Sequence, residues 1–378
     1  MYLTTEEEKI LQGEEGKIKA KAMRILATLG DIFDADKLIP IESTQIAGVS
    51  YKTIGDAGLE FLEDWSDATV VVESRMNPAG MDLEDWREMG VSESFAKKQL
   101  RIVKALTSMG VKKSCSCTPY HAGLIPKQGT HIAWSESSAV AFANSVLGAM
   151  TNREGGPSAL SAALIGMTPN YGLHLEQNRI AEILFNIPFE LSSLDYSLLG
   201  YFIGTIAKNK IPAIRGIKHT NELQLKALGA GAAAGGGVPM FMVKDATPEY
   251  RLIDKPEKIT VEKEDILTIQ NKFNTCEQPQ IISFGCPHCS YEEIEDMIKN
   301  ATTEREIWIC TSREVKQKFE DIPSNIKIFA DTCMVVAPVE EMGIKCIATD
   351  SSKCAHYSRN LSDINTLIKS RDDLIHET

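Results

Sequence analysis

Hydrophobic and polar positions follow two different periods along this chain. In the last third, short apolar runs of strand length stand at residues 280–284, 306–310, 326–329 and 344–348. Helix-like segments near residues 290–299, 312–320 and 361–370 separate some of them. Such alternation predicts an α/β unit around a parallel sheet. The N-terminal part is more helical. Thr4-Thr5-Glu6-Glu7-Glu8 resembles a capping box ahead of an amphipathic helix. Further helices are expected over residues 19–32, 93–109 and 139–149. Short strands are expected at 70–72, before Cys117 and at 131–134. Residues 158–250 are rich in Ala, Leu and Gly, a composition suited to tightly packed helices and close backbone approaches. The charged, proline-bearing stretch near residue 254 suggests two lobes, 1–253 and 254–378.

The length of 378 residues gives room for two or three domains. A formal net charge of −12 argues against a nucleic-acid or anionic membrane-surface partner. The N-terminus is acidic and has no signal-peptide pattern, and no apolar run reaches membrane-spanning length. The nine cysteines are therefore expected as reduced thiols in a cytoplasmic protein, available for metal binding or chemistry.

Three of those cysteines invite a common reading. Cys117, Cys286 and Cys333 each follow a strand expected from the pattern. Open α/β sheets place their sites at such carboxyl ends. Thiolates suit iron–sulfur clusters and zinc, and three ligands leave a coordination position open for substrate. Cys276, Cys310 and Cys346 read as buried small apolar side chains. Cys286-Pro287-His288-Cys289 also permits a thiol oxidoreductase, or a zinc site on the two cysteines. Arg153, in the loop Thr151-Asn152-Arg153-Glu154-Gly155-Gly156-Pro157, is suited to a bidentate carboxylate or phosphate. His121 and His288 lie beside the cysteine turns, and His121 is a candidate acid or base. The glycine-rich run 229–237 lacks the Lys-Ser/Thr of a P-loop.

Taken in order, Gly48-Val49-Ser50-Tyr51, Cys117-Thr118-Pro119-Tyr120, Trp134-Ser135-Glu136-Ser137-Ser138-Ala139, the 151–158 loop, Gly285-Cys286-Pro287-His288 and Asp331-Thr332-Cys333 resemble the aconitase X family. The resemblance runs from about residue 3 to about residue 368. It implies an α/β, aconitase-like, multi-lobed chain built of parallel-sheet αβα units, without the swivelling domain. It also implies a hydro-lyase holding an iron–sulfur cluster, [4Fe-4S] in form, on Cys117, Cys286 and Cys333. Two family activities are dehydration of (R)-5-phosphomevalonate to trans-anhydromevalonate 5-phosphate, in the archaeal mevalonate pathway, and of cis-3-hydroxy-L-proline. The chain length points to the first, with a separate small swivelling-domain subunit supplying the catalytic serine. The resemblance makes Ser135, Glu136 and His121 catalytic candidates. Ser50, Tyr51, Asn77, Ser137, Asn152, Arg153 and Glu154 become candidates for binding a phosphorylated hydroxy acid.

Overall fold

Five apolar runs in the C-terminal part pair side by side as parallel strands. Their spatial order is Ile326–Ala330, Ile307–Thr311, Ile281–Phe284, Cys346–Thr349, Asn365–Ile368. All residues of Ile281–Phe284 and Ile307–Thr311 are buried. Continuous apolar runs rather than alternating ones are what a sheet covered on both faces requires. The chain winds outward from Ile281–Phe284 in one direction, then returns to its other side with Cys346–Thr349. That reversal opens a crevice at the carboxyl ends of these two strands, the place where open α/β sheets bind ligands. These architectural facts come from a computed structural model, which describes residues 1–376.

Two further parallel sheets precede this one. Ser43–Ile46 lies between Glu73–Met76 and Ala133–Trp134. Ala181–Asn186 lies between Pro212–Arg215 and the edge strand Leu252–Thr260, with Met242–Val243 outermost on the Pro212–Arg215 side. A small antiparallel pair joins Leu38–Pro40 to Met167–Pro169. The expected lobe boundary between residues 253 and 254 falls inside Leu252–Thr260. An edge strand can be charged and carry a proline because one side needs no partner, and that composition reads as a linker.

Several local expectations hold. Thr4 caps the first helix and Glu7 returns the capping-box bond to its backbone. Others shift. Residues 70–72 are not a strand: Val70 and Val71 donate to Met109 and Ala163, and pairing begins at Glu73. No strand leads to Cys117; the segment meets the sheet through one bridge, Arg75 to Lys112, and then turns at Cys115 with φ of 41°. The last expected helix, 361–370, is displaced. The helix is Ser352–Ser362, it ends at Asp363 in the left-handed region, and Asn365–Ile368 becomes the edge strand. Cys276 and Cys346 are disulfide-bonded, so not every cysteine is a reduced thiol. The loop before Ile281–Phe284 brings Cys276 against the start of Cys346–Thr349. No helix among the described residues is long and apolar enough to cross a membrane.

The glycine-rich run has a packing reason. It belongs to the helix Glu222–Gly236, which lies against Ser193–Ala207. A Cβ at Gly200, Gly204, Gly231, Gly235 or Gly236 would collide with a backbone oxygen of the opposite helix. The helices therefore touch backbone to backbone. Gly231→Val is expected to cost about 2–3 kcal/mol through overpacking. The check is the urea midpoint; an unchanged midpoint would mean the helices can move apart freely.

Candidate functional site

Each thiol reaches the crevice by its own device. Gly285, at φ of 98°, makes the turn that puts Cys286 beyond Ile281–Phe284, where a Cβ would strike the Cys310 carbonyl. Asp331, also in the left-handed region, turns the chain after Ile326–Ala330 and delivers Thr332 and Cys333. Arg313 holds the Asp331 carboxylate at 2.5 Å, and the Asp331 carbonyl accepts from Ala79 N–H at 2.7 Å. Arg313 and Lys316 also grip Asp82. Burial opposes charge on Asp82, yet the Asp85 backbone and these two cations hold its pKa at about 2. This network fastens residues 79–85 to the loop of Cys333. Cys117 arrives from the first sheet's side, and its sulfur accepts from His288 N–H at 3.2 Å.

The three cysteines line one cavity of about 200 Å³. Asn77, Ser135, Glu136, Ser137 and Arg153 share its wall, and so do Lys353 and Tyr357. Burial pushes the Cys117 thiol well up and the Cys333 thiol up to about 12. The neighbouring Cys354 thiol, then burial, does the same for Cys286. Ligation by these groups would therefore release protons.

Charge in the cavity is dominated by one pair. Lys353 Nζ contacts Glu136 Oε1 and lies 3.0 Å from Ser138 Oγ. Asn77 donates to Glu136 Oε2 at 2.8 Å. Burial alone would raise the Glu136 pKa; Lys353 overrides it and, with Asn77, holds it at about 2. Lys353 is pushed up, because its attraction to Glu136 and the nearby sulfurs outweighs desolvation. Glu136 is thus a fixed anion at neutral pH. It cannot donate a proton there, and it is a weak base. Arg153 is exposed and makes no hydrogen bond or ion pair among the described residues, so its guanidinium is available to an anion.

Five candidates are placed elsewhere. Ser50 Oγ donates to the Val336 carbonyl at 2.7 Å, behind the cavity wall. The Tyr51 hydroxyl faces Asp56 and Lys98. Asn152 bridges Tyr171 and Leu173 backbone groups, and Glu154 accepts from Ser158 and Thr168. His121 meets Glu222 at 2.9 Å, and burial lowers its pKa. None of the five lines the cavity. Lys353 and Tyr357 are the residues that sequence reasoning missed. A signal existed for Lys353, which follows the strand Cys346–Thr349 at the reversal point of the sheet.

Cys289 faces away from the cavity. It packs with Ile294 and Ile309, and burial pushes its thiol far up, the opposite of what a reactive thiolate pair needs. Among the described residues no three His, Cys, Asp or Glu side chains close on a point that could hold a single ion. A cluster with one iron per thiol asks less, only that three soft donors face a common space, and this donor set fits that demand. A second cavity, of about 270 Å³, lies on the other side of Cys286. Within it, Lys226 pairs with Glu293 at 2.5 Å, and Arg371 pairs with Glu293 and Asp350.

Family models match almost the whole chain: the aconitase X first domain over residues 1–177, the second over 181–271 and the third over 279–378. The chain belongs to the aconitase X family. As expected from the sequence motifs, this aconitase X is an α/β protein. It is similar to the crystal structure of Thermococcus kodakaraensis aconitase X in its holo form, with a TM-score of 0.93 and 42% identity over 100% of both chains. It is 47% identical to the phosphomevalonate dehydratase large subunit of Methanocaldococcus jannaschii, over 98% of this chain and 100% of that protein. It is 31% identical to the cis-3-hydroxy-L-proline dehydratase of Hypocrea jecorina, over 95% of this chain and 65% of that protein. In this aconitase X, Cys117 comes from the first domain and Cys286 and Cys333 from the third.

Proposed function

We propose that this chain is the large subunit of a phosphomevalonate dehydratase, which removes water from (R)-5-phosphomevalonate to give trans-anhydromevalonate 5-phosphate. The observation that carries the reading is the convergence of Cys117, Cys286 and Cys333 on a cavity that Arg153 also lines, a guanidinium with no ion pair among the described residues. The high identity to a full-length phosphomevalonate dehydratase large subunit supports this substrate over the hydroxyproline. The proposal includes a [4Fe-4S] cluster on the three thiols, a separate small subunit and a cytoplasmic location. When bound, the cluster supplies a Lewis acid that polarises the departing hydroxyl.

The chain's own residues then have separable tasks. Arg153 clamps the carboxylate or the phosphate through two parallel hydrogen bonds. Asn77, Ser135 and Ser137 orient substrate oxygens at the cavity wall. Lys353 keeps Glu136 ionised and adds positive charge beside the sulfurs. Glu136, held as a weak base, positions Lys353 and Asn77. By family resemblance, the base that takes the proton next to the carboxylate is the serine of the small subunit.

The test is an anaerobic assay of both substrates, with and without the small subunit. Turnover of (R)-5-phosphomevalonate by the pair, and by neither subunit alone, is the expected result. Turnover of cis-3-hydroxy-L-proline alone would replace the substrate assignment, and turnover of neither would sink the reading. Arg153→Ala is expected to reduce kcat/KM about 10–100-fold, the size of a lost charge-assisted contact, mainly through KM. Arg153→Lys should restore only part, because an ammonium cannot make the bidentate pair.

A further inference from the structure

We infer that His288 is the positioning residue that sets the spacing of the three cavity thiols, by tying the loop of Cys117 to the loops of Cys286 and Cys333. The inference rests on the cluster reading above and deepens it. His288 is not a catalytic residue, since it does not line the cavity.

Its contacts reach a neighbour of every thiol. Nδ1 lies 3.2 Å from the Oγ of Ser116, the residue before Cys117. Nε2 lies 2.9 Å from the carbonyl of Thr332, the residue before Cys333. The His288 N–H reaches the Cys117 sulfur, and His288 itself stands two residues after Cys286. The His288 carbonyl accepts from Lys226 Nζ at 3.2 Å, so the second domain is attached too. His288 is 1% exposed. A carbonyl only accepts, so Nε2 carries the hydrogen and Nδ1 accepts from the Ser116 hydroxyl. Ser116 Oγ in turn accepts from Thr118 N–H at 3.1 Å, on the far side of Cys117.

The geometry matters because the thiols come from separate domains. A site built from three loops must be held to within about half an ångström, and residues behind the ligands do that holding. Loss of such partners commonly costs about 10–100-fold in metal affinity.

The experiment uses the anaerobically loaded two-subunit enzyme and reads the rate at which iron passes to a chelator. Thermal unfolding of the cluster-free protein is the control. His288→Ala is expected to release iron about 10–100-fold faster than wild type. His288→Gln, which can still donate to the Thr332 carbonyl, should recover part of that loss. Ser116→Ala should speed release by several fold. The double variant should be no faster than His288→Ala, because both changes break one connection. Release within twofold of wild type in the variants, or strictly additive effects, would overturn the inference. If His288→Ala does not fold, His288→Gln and Ser116→Ala still decide it. A wild-type protein that takes up no iron overturns the cluster reading, and this inference with it. A wild type that loads, with variants that hold iron as tightly, overturns this inference alone.

Discussion

Cys117→Ser is expected to leave a folded protein with only trace iron and no dehydratase activity. Serine oxygen is a poor substitute for a soft thiolate ligand. The fold should survive, because a serine oxygen can still accept the His288 N–H that now reaches the Cys117 sulfur. Cys286→Ser and Cys333→Ser should behave alike. Cys289→Ser is the contrasting case: it places a hydroxyl in the apolar cluster with Ile294 and Ile309, so it should lower stability yet leave iron content per folded chain unchanged. Iron and acid-labile sulfide analysis separates these outcomes. A Cys117→Ser protein with a full cluster would remove the cysteine assignment, and loss of iron only in Cys289→Ser would revive the Cys286–Cys289 pair.

Lys353→Met is expected to be the most destabilising of these substitutions. It leaves Glu136 in its site without a counter-charge, and breaking a buried pair from one side costs about 3–5 kcal/mol. The effect has a pH signature. In the native protein Glu136 is held at about 2, below the ordinary glutamate value of ~4.3. Its contribution is therefore fully present above that ordinary value and fades as pH falls toward 2. Without Lys353, burial becomes the main influence and raises the carboxyl above its ordinary value. The variant is then worst near neutrality and recovers as Glu136 takes up a proton. The stability deficit measured at pH 7 should exceed that at pH 4.5, and kcat/KM should fall at least about 100-fold. A deficit independent of pH would show that the pair does not carry this energy.

The sequence made some parts of this protein legible and concealed others for identifiable reasons. The C-terminal sheet was readable because buried parallel strands are apolar on both faces, and Ile281–Phe284 and Ile307–Thr311 leave little room for another reading. From those strands, Cys286 and Cys333 could be set at carboxyl ends. Two edge strands were not readable. Leu252–Thr260 is charged because most of its side chains face solvent, and Asn365–Ile368 is too short to stand out beside a helix. In the site, Asn77, Ser135, Glu136, Ser137 and Arg153 reach the cavity. Asn152 and Glu154 sit in the same polar loop as Arg153, but their hydrogen bonds serve its scaffold. Buried polar groups must be satisfied somewhere, and a loop near a site uses the same residue types for both purposes. Lys353 follows a readable strand, but its importance comes from a partner far away in the chain.

That distance has a consequence for how the protein is made. Glu136 and Lys353 are 217 residues apart in sequence, and Ser50 and Val336 are 286 apart. Contacts of such long range form late, after the loop-closure entropy has been overcome. On the ribosome, the first domain is complete while most of the third is still unmade. During that interval Cys117 has neither His288 beside it nor the other two thiols, and Glu136 has no cation. The site comes into being only when the last hundred or so residues dock, so iron has no complete place to enter before synthesis ends. Any nascent or truncated chain lacking that final segment would carry an unguarded thiol, and oxidation would compete with maturation.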